Sequence, residues 1–368
     1  MKGIIWITVM LGMLLGLSMN ASAADFGEDK LIQQLPGQVE EQLSELGIDE
    51  IQPEDITGFG PFDAIAYAWK SMADRARMPL VLLATIVGIS ILMGICNAIG
   101  ESFSNKALLP VLNTVSVIAA LVAGGTPIVE FIRRMAQTLE QSGNFIMGYI
   151  PVFAAATAAG GQITTAKAYG SVLFIVAQIV GTAASKSIVP ALCVYLGFCM
   201  ISGVFPNVTI QSLAQTVKNI TISILTGGAT LFIAVLTLQT IVTSAADSVA
   251  MRSVKFLIGS AVPVVGVALS EAANTVSGYI GLIKSTIGGF GIIAVLIAFI
   301  PPILECLLWS VSLSLGAAVS EMFCASAMAG VLRSVKSVLQ IMMAILICFA
   351  VIVIISTALV IFMGKGGV

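Results

Sequence analysis

Residues 338–363 read VLQIMMAILICFAVIVIISTALVIFM, a stretch of 26 positions without one charged side chain. As a helix rising about 1.5 Å per residue it reaches about 39 Å, longer than the roughly 30 Å hydrocarbon core of a bilayer. Such a run reads as a membrane-spanning helix. Further apolar runs lie at 79–99, 107–129, 145–160, 168–185, 188–205, 221–244 and 287–309. The whole chain is 58% hydrophobic and 10% charged, where soluble domains carry about a quarter charged residues. The fold class expected is therefore all-α: a polytopic helical membrane protein with about 7–8 spans.

Prolines punctuate these runs. Pro110, Pro151, Pro190, Pro263 and the pair Pro301-Pro302 sit in or beside them. Each removes a backbone donor and frees a carbonyl that lipid cannot satisfy. Broken or re-entrant helices packed against protein are expected. Glycines such as Gly227-Gly228, Gly278, Gly281 and Gly288-Gly289 suit close helix approach.

The N-terminus has another logic. Met1-Lys2 is followed by an apolar stretch to Leu17, and Ala21-Ser22-Ala23 fits the small-x-small cleavage pattern. Residues 1–23 read as a signal peptide cleaved after Ala23, with Ala21 and Ala23 as the recognition pair. Residues 24–78 then form an exported acidic segment. Leu31, Leu35, Val39, Leu43 and Leu46 recur every three or four positions there, the spacing of short amphipathic helices. A segment this small cannot bury much core alone. Residues 79–368 make up the multi-span membrane domain.

A cleaved signal puts 24–78 outside the cytoplasm. Simple alternation then places Arg133-Arg134 and Arg252 with Lys255 outside as well, against the cytoplasmic bias of positive charge. A re-entrant run at 107–129, bracketed by Pro110 and Gly124-Gly125-Thr126-Pro127, would restore the phase.

Catalytic sets are missing. The chain has no histidine, which removes the commonest acid/base group and metal ligand. There is no GxxxxGK[ST] loop for nucleotide phosphates. Asp247 is the only aspartate beyond Asp74, so an intramembrane aspartyl pair cannot form. The six cysteines lie in apolar runs without a CxxC pair and read as buried apolar residues. With a net charge of −2, nothing favours nucleic acid. No enzyme activity, cofactor or metal is expected.

Most ionisable residues after 78 flank apolar runs, where they can reach the interface. Glu305 does not: it follows Pro301-Pro302 inside a run, where a charged acid costs at least about 2.5 kcal/mol. It is protonated, close to the interface, or facing a polar interior. The densest polar stretch is 245–286. Asp247, Arg252 and Lys255 suit one helix, Gly259 and Pro263 to Gly266 interrupt it, and Glu271 to Lys284 form a second amphipathic helix. A helix-break-helix element at the interface, or re-entering the membrane, follows.

This same stretch, TSAADSVAMRSVKFLIGSAVPVVGVALSEAANTVSGYIGLIKSTIGGFG from Thr243 to Gly291, resembles the stage III sporulation protein AE family of endospore-forming bacteria. The likeness rests on Arg252, Lys255 and Phe256 as R-x-x-K-F, then Gly259, Pro263, Val264 and Gly266 as G-x-x-x-P-V-x-G, then Lys284. It extends more weakly over 80–368. The resemblance implies a mother-cell membrane subunit of a channel-like or secretion-like complex around the forespore. Its implied partners are the other stage III sporulation A-operon proteins and, indirectly, stage II sporulation protein Q, with late forespore gene expression depending on the assembly. The resemblance carries over no catalytic residues. The residues expected to serve docking or packing are Asp247, Arg252, Lys255, Phe256, Gly259, Pro263, Gly266, Glu271, Lys284 and Glu305. The competing reading is an autonomous secondary transporter, which broken helices and Glu305 would suit.

Overall fold

A computed structural model describes residues 35, 37–45, 61–102, 108–183, 189–204, 211–261 and 266–365. Every regular element among them is an α-helix: α1 Gly37–Glu45, α2 Pro61–Arg75, α3 Arg77–Ser102, α4 Leu108–Ala159, α5 Ile163–Ala183, α6 Val189–Val204, α7 Gln211–Ala261, α8 Gly266–Met322 and α9 Ser326–Lys365. Five stretches among the described residues are long and apolar enough to cross a membrane: Arg77–Ile99, Thr114–Ala159, Thr226–Ser253, Thr275–Met322 and Ser326–Phe362. The signal-peptide residues Ala21 and Ala23 lie outside the described residues.

The helices are longer than one crossing requires. α4 has 52 residues and α8 has 57, which at the α-helical rise gives about 78 and 86 Å. In α4 this unites two runs that the sequence separates, 107–129 and 145–160. The charged residues between them do not end the helix, because a single buried stripe continues through them. Ile128, Phe131, Ile132, Met135, Leu139, Phe145, Ile146, Tyr149 and Phe153 are buried at steps of mostly three and four, while Glu130, Arg133 and Glu140 face outward. The expected re-entrant turn at 107–129 is thereby corrected, since one helix runs through it to Ala159.

The expectation of helices broken at proline needs correcting too. Pro127 and Pro151 lie inside α4, and Pro301 and Pro302 lie inside α8. Pro110 and Pro190 fall in the first turns of α4 and α6, where a missing N–H costs nothing. Inside α8, Pro301 deprives the Ile297 carbonyl of its usual donor four residues on. Tyr67 Oη supplies the replacement at 3.1 Å, sharing its one proton between this carbonyl and Gln42 Oε1 at 2.6 Å. A hydroxyl from α2 thus repairs the backbone of α8.

That repair is one rung of a constant register. Tyr67 to Ile297, Arg75 to Glu305 and Ser90 to Ser320 are each separated by 230 positions, so α2 and α3 run parallel to α8. α4 runs antiparallel to α8, with Phe131 stacked on Trp309 at 5.9 Å and Tyr149 lying against Gly291. A side chain at Gly291 would collide with the Tyr149 ring, so glycine is what lets the two helices approach. α9 returns along α8 after a tight turn at Phe323–Ala325, with Phe299 meeting Phe349 across the pair. This hairpin forms the centre of the molecule.

Exposed apolar side chains fall in two zones along the long helices. One lies on α3 and the first half of α4, with Leu80, Leu92, Val115 and Val122 outward. The other lies on α5, α6 and α7, with Phe174, Val194, Leu231 and Leu238 outward. Between them is a polar belt at Arg133, Arg134 and Glu140, where α1 and α2 pack on α8. Leu35, Val39 and Leu43 are buried in the common core, so the short N-terminal helices borrow a core from the membrane domain. Among the cysteines read as buried, Cys306 is, but Cys193 and Cys324 are exposed.

Candidate functional site

The residues singled out in sequence separate into three groups. Asp247 and Lys284 come together at the turn between α4 and α5. This turn has Gly161 at a φ of 82°, a left-handed conformation that favours glycine, with Met251 of α7 directly over it. α5 begins at Ile163, and the residue before it is Gln162, which is not a favoured cap. The cap comes from another helix instead. Asp247 Oδ1 accepts the Thr164 N–H at 3.0 Å, and Oδ2 accepts the Thr165 N–H and hydroxyl, both at 2.8 Å. A carboxylate at the positive end of a helix dipole, filling its orphan donors, is stabilised there.

Lys284 holds the same turn from α8. Its Nζ donates to Gln162 Oε1 at 2.6 Å and to the Val360 carbonyl near the C-terminal end of α9 at 2.8 Å. Asp247 and Lys284 are both buried. The pair fastens the α4–α5 turn to α7, α8 and α9.

The second group surrounds Glu305, which is 5% exposed at its side chain. Arg75 Nη1 donates to Oε2 at 3.0 Å and Arg134 Nη2 donates to Oε1 at 2.8 Å. Of the three environments open to Glu305 in sequence, a polar interior is the one found, with an arginine on each oxygen. Arg134 also sits over the Phe131 ring at 5.9 Å. Neither arginine was identified from the sequence as its partner. They lie 230 and 171 positions away, and their signal was only that both are basic residues at helix ends or between apolar runs. Beside this triad lies a cavity of about 110 Å³, lined by Arg75, Arg134, Gln42, Thr138, Gln141 and Ser142 among others.

The third group stays on the surface. Arg252 and Glu271 are exposed, and Phe256 is 73% exposed. Lys255 and Gly259 continue the same helix, α7, which ends at Ala261; α8 begins at Gly266. Pro263, between them, lies outside the described residues. The structure therefore does not gather the sequence candidates into one site. It divides them into a turn clamp, a buried ion triad and an exposed helix end.

A family model described as stage III sporulation protein AE matches residues 60–364, from α2 to the end of α9. Stage III sporulation protein AE of Bacillus subtilis (strain 168) is 23% identical to the chain over 223 residues. That alignment covers 60% of this chain and 56% of the relative, so the chain spans little more than half the length of the curated relative it matches. No solved structure matches.

Proposed function

Because the chain belongs to the stage III sporulation protein AE family, we propose that it is a non-enzymatic membrane subunit of a channel-like or secretion-like complex linking mother cell and forespore. The family match across 60–364 carries this reading, since it includes each of the long apolar helices among the described residues. In this account the chain sits in the mother-cell membrane, with residues 24–78 on the extracytoplasmic side. It assembles with the other stage III sporulation A-operon proteins and, through them, with stage II sporulation protein Q. Late forespore gene expression depends on that assembly.

The geometry supports work by packing. Asp247 caps a helix, Lys284 ties a turn, and Glu305 is occupied by two arginines, so none is poised as a nucleophile or general base. An autonomous transporter would place its substrate against unwound helix ends near mid-membrane. Here Glu305 sits within an uninterrupted helix. Docking falls to the exposed end of α7, where Arg252 and Phe256 project. Reversing Arg252 and Lys255 to glutamate is expected to block sporulation at unchanged protein level. Normal spore yield from that double variant would remove α7 from the docking surface.

A further inference from the structure

We propose that the cavity beside Glu305 is a binding site for a small oxyanion of phosphate size, free in solution. Three observations converge on it. The first is charge: among the described residues, Arg75 and Arg134 are the only charged ones on its wall, and both are cationic. Their shared counter-ion, Glu305, lies behind them, so two guanidinium groups face one carboxylate and a positive charge is left over.

The second is donor capacity. Each guanidinium carries five N–H donors in a planar fork, and each gives Glu305 a single nitrogen. The carboxylate holds the two forks at a fixed separation, one from α2 and one from α4, with their remaining donors unused among the described residues. Arginine in this arrangement suits bidentate recognition of phosphate. Gln42, Thr138 and Gln141 add neutral groups around the same space.

The third observation points to a ligand by itself. Ser142 lines the cavity, is 3% exposed, and its hydroxyl has no hydrogen-bond partner among the described residues. A buried hydroxyl left unmatched is costly, and native proteins seldom keep one without water or a ligand to meet it. An oxyanion anchored on the arginines would accept a hydrogen bond from the Ser142 hydroxyl. A cation is disfavoured because two arginines and, among the described residues, no acid line the wall, and an apolar ligand would strand these donors.

The full-length chain, purified in detergent, tests this by equilibrium dialysis with radiolabelled inorganic phosphate, alongside thermal unfolding with and without it. Saturable binding and a phosphate-dependent rise in Tm are expected. Arg134→Gln keeps the Arg75–Glu305 bond and is expected to weaken binding about tenfold. Ser142→Ala is expected to weaken it while leaving the Tm of the unliganded chain unchanged or higher, which a purely structural hydroxyl would not do. No saturable binding, or an affinity in both variants equal to that of the unaltered chain, overturns the proposal. So does protection by nanodiscs of phosphatidylglycerol over phosphatidylcholine without any effect of inorganic phosphate, which would assign the site to a lipid headgroup.

Discussion

Tyr67 of α2 donates its hydroxyl proton to the carbonyl of Ile297 in α8, the carbonyl that Pro301 leaves without a helical partner. A helix interior normally loses about 3 kcal/mol to a proline. Here the loss is moderated by a neighbour held in parallel register, and the 57-residue helix continues. Tyr67→Phe is expected to cost about 1–3 kcal/mol, the range for stranding a buried acceptor. Thermal unfolding in detergent measures it, and an unchanged Tm would mean that α8 tolerates its proline pair without help.

Asp247 caps α5 from α7. Asp247→Ala is expected to cost about 1–2 kcal/mol, and Asp247→Asn distinctly less, since an amide oxygen still accepts one of the two N–H groups. Hydrogen exchange at Thr164 and Thr165 gives the local readout. Both amides should exchange faster in the alanine variant, and equal rates would show that α5 has another cap.

Gly291 gives Tyr149 the room to cross between α4 and α8. Gly291→Ala is expected to destabilise by about 1–3 kcal/mol through overpacking. Adding Tyr149→Leu should recover part of that loss, because the two changes are coupled. Strictly additive costs would place the strain elsewhere.

Glu305 is buried, but its arginine partners are only partly so, at 30% and 53% side-chain exposure. Glu305→Ala should therefore cost more than an exposed pair and less than a fully buried one, about 1–4 kcal/mol. Glu305→Gln keeps one acceptor for an arginine and should fall below Glu305→Ala. A fully stable alanine variant would mean that the triad adds nothing to the fold.

The polar belt midway along α4 predicts a water-accessible ring between two apolar zones. In a chain freed of its native cysteines, Arg133→Cys should react quickly with a membrane-impermeant maleimide. Val122→Cys and Leu238→Cys, each in an apolar zone, should react slowly. Equal labelling at all three positions would contradict the zoning.

Much of this was legible in the sequence. The run 338–363 falls within α9, and the order of apolar runs follows the order of helices from α3 to α9. Leu35, Val39 and Leu43, four positions apart, are buried as their spacing implied. The continuity of α4 was not read, because Glu130, Arg133, Arg134 and Glu140 look like a loop when counted by polarity. The buried stripe through Phe131, Ile132, Met135 and Leu139 was the available signal, and it shows only when the residues are placed at 3.6 per turn. The partners of Glu305 and the cap at Asp247 are tertiary facts, joining residues 82 to 230 positions apart. Nothing local encodes them. Proline misled for a similar reason: whether it breaks a helix depends on a donor such as Tyr67, which the run itself does not contain.

The most direct test is to solubilise membranes from sporulating cells, isolate the tagged full-length chain, and identify what comes with it by mass. The other stage III sporulation A-operon proteins are expected in one large assembly with it. A chain recovered alone, and able by itself to drive ion-coupled solute uptake into sealed vesicles, would contradict a subunit that acts through assembly.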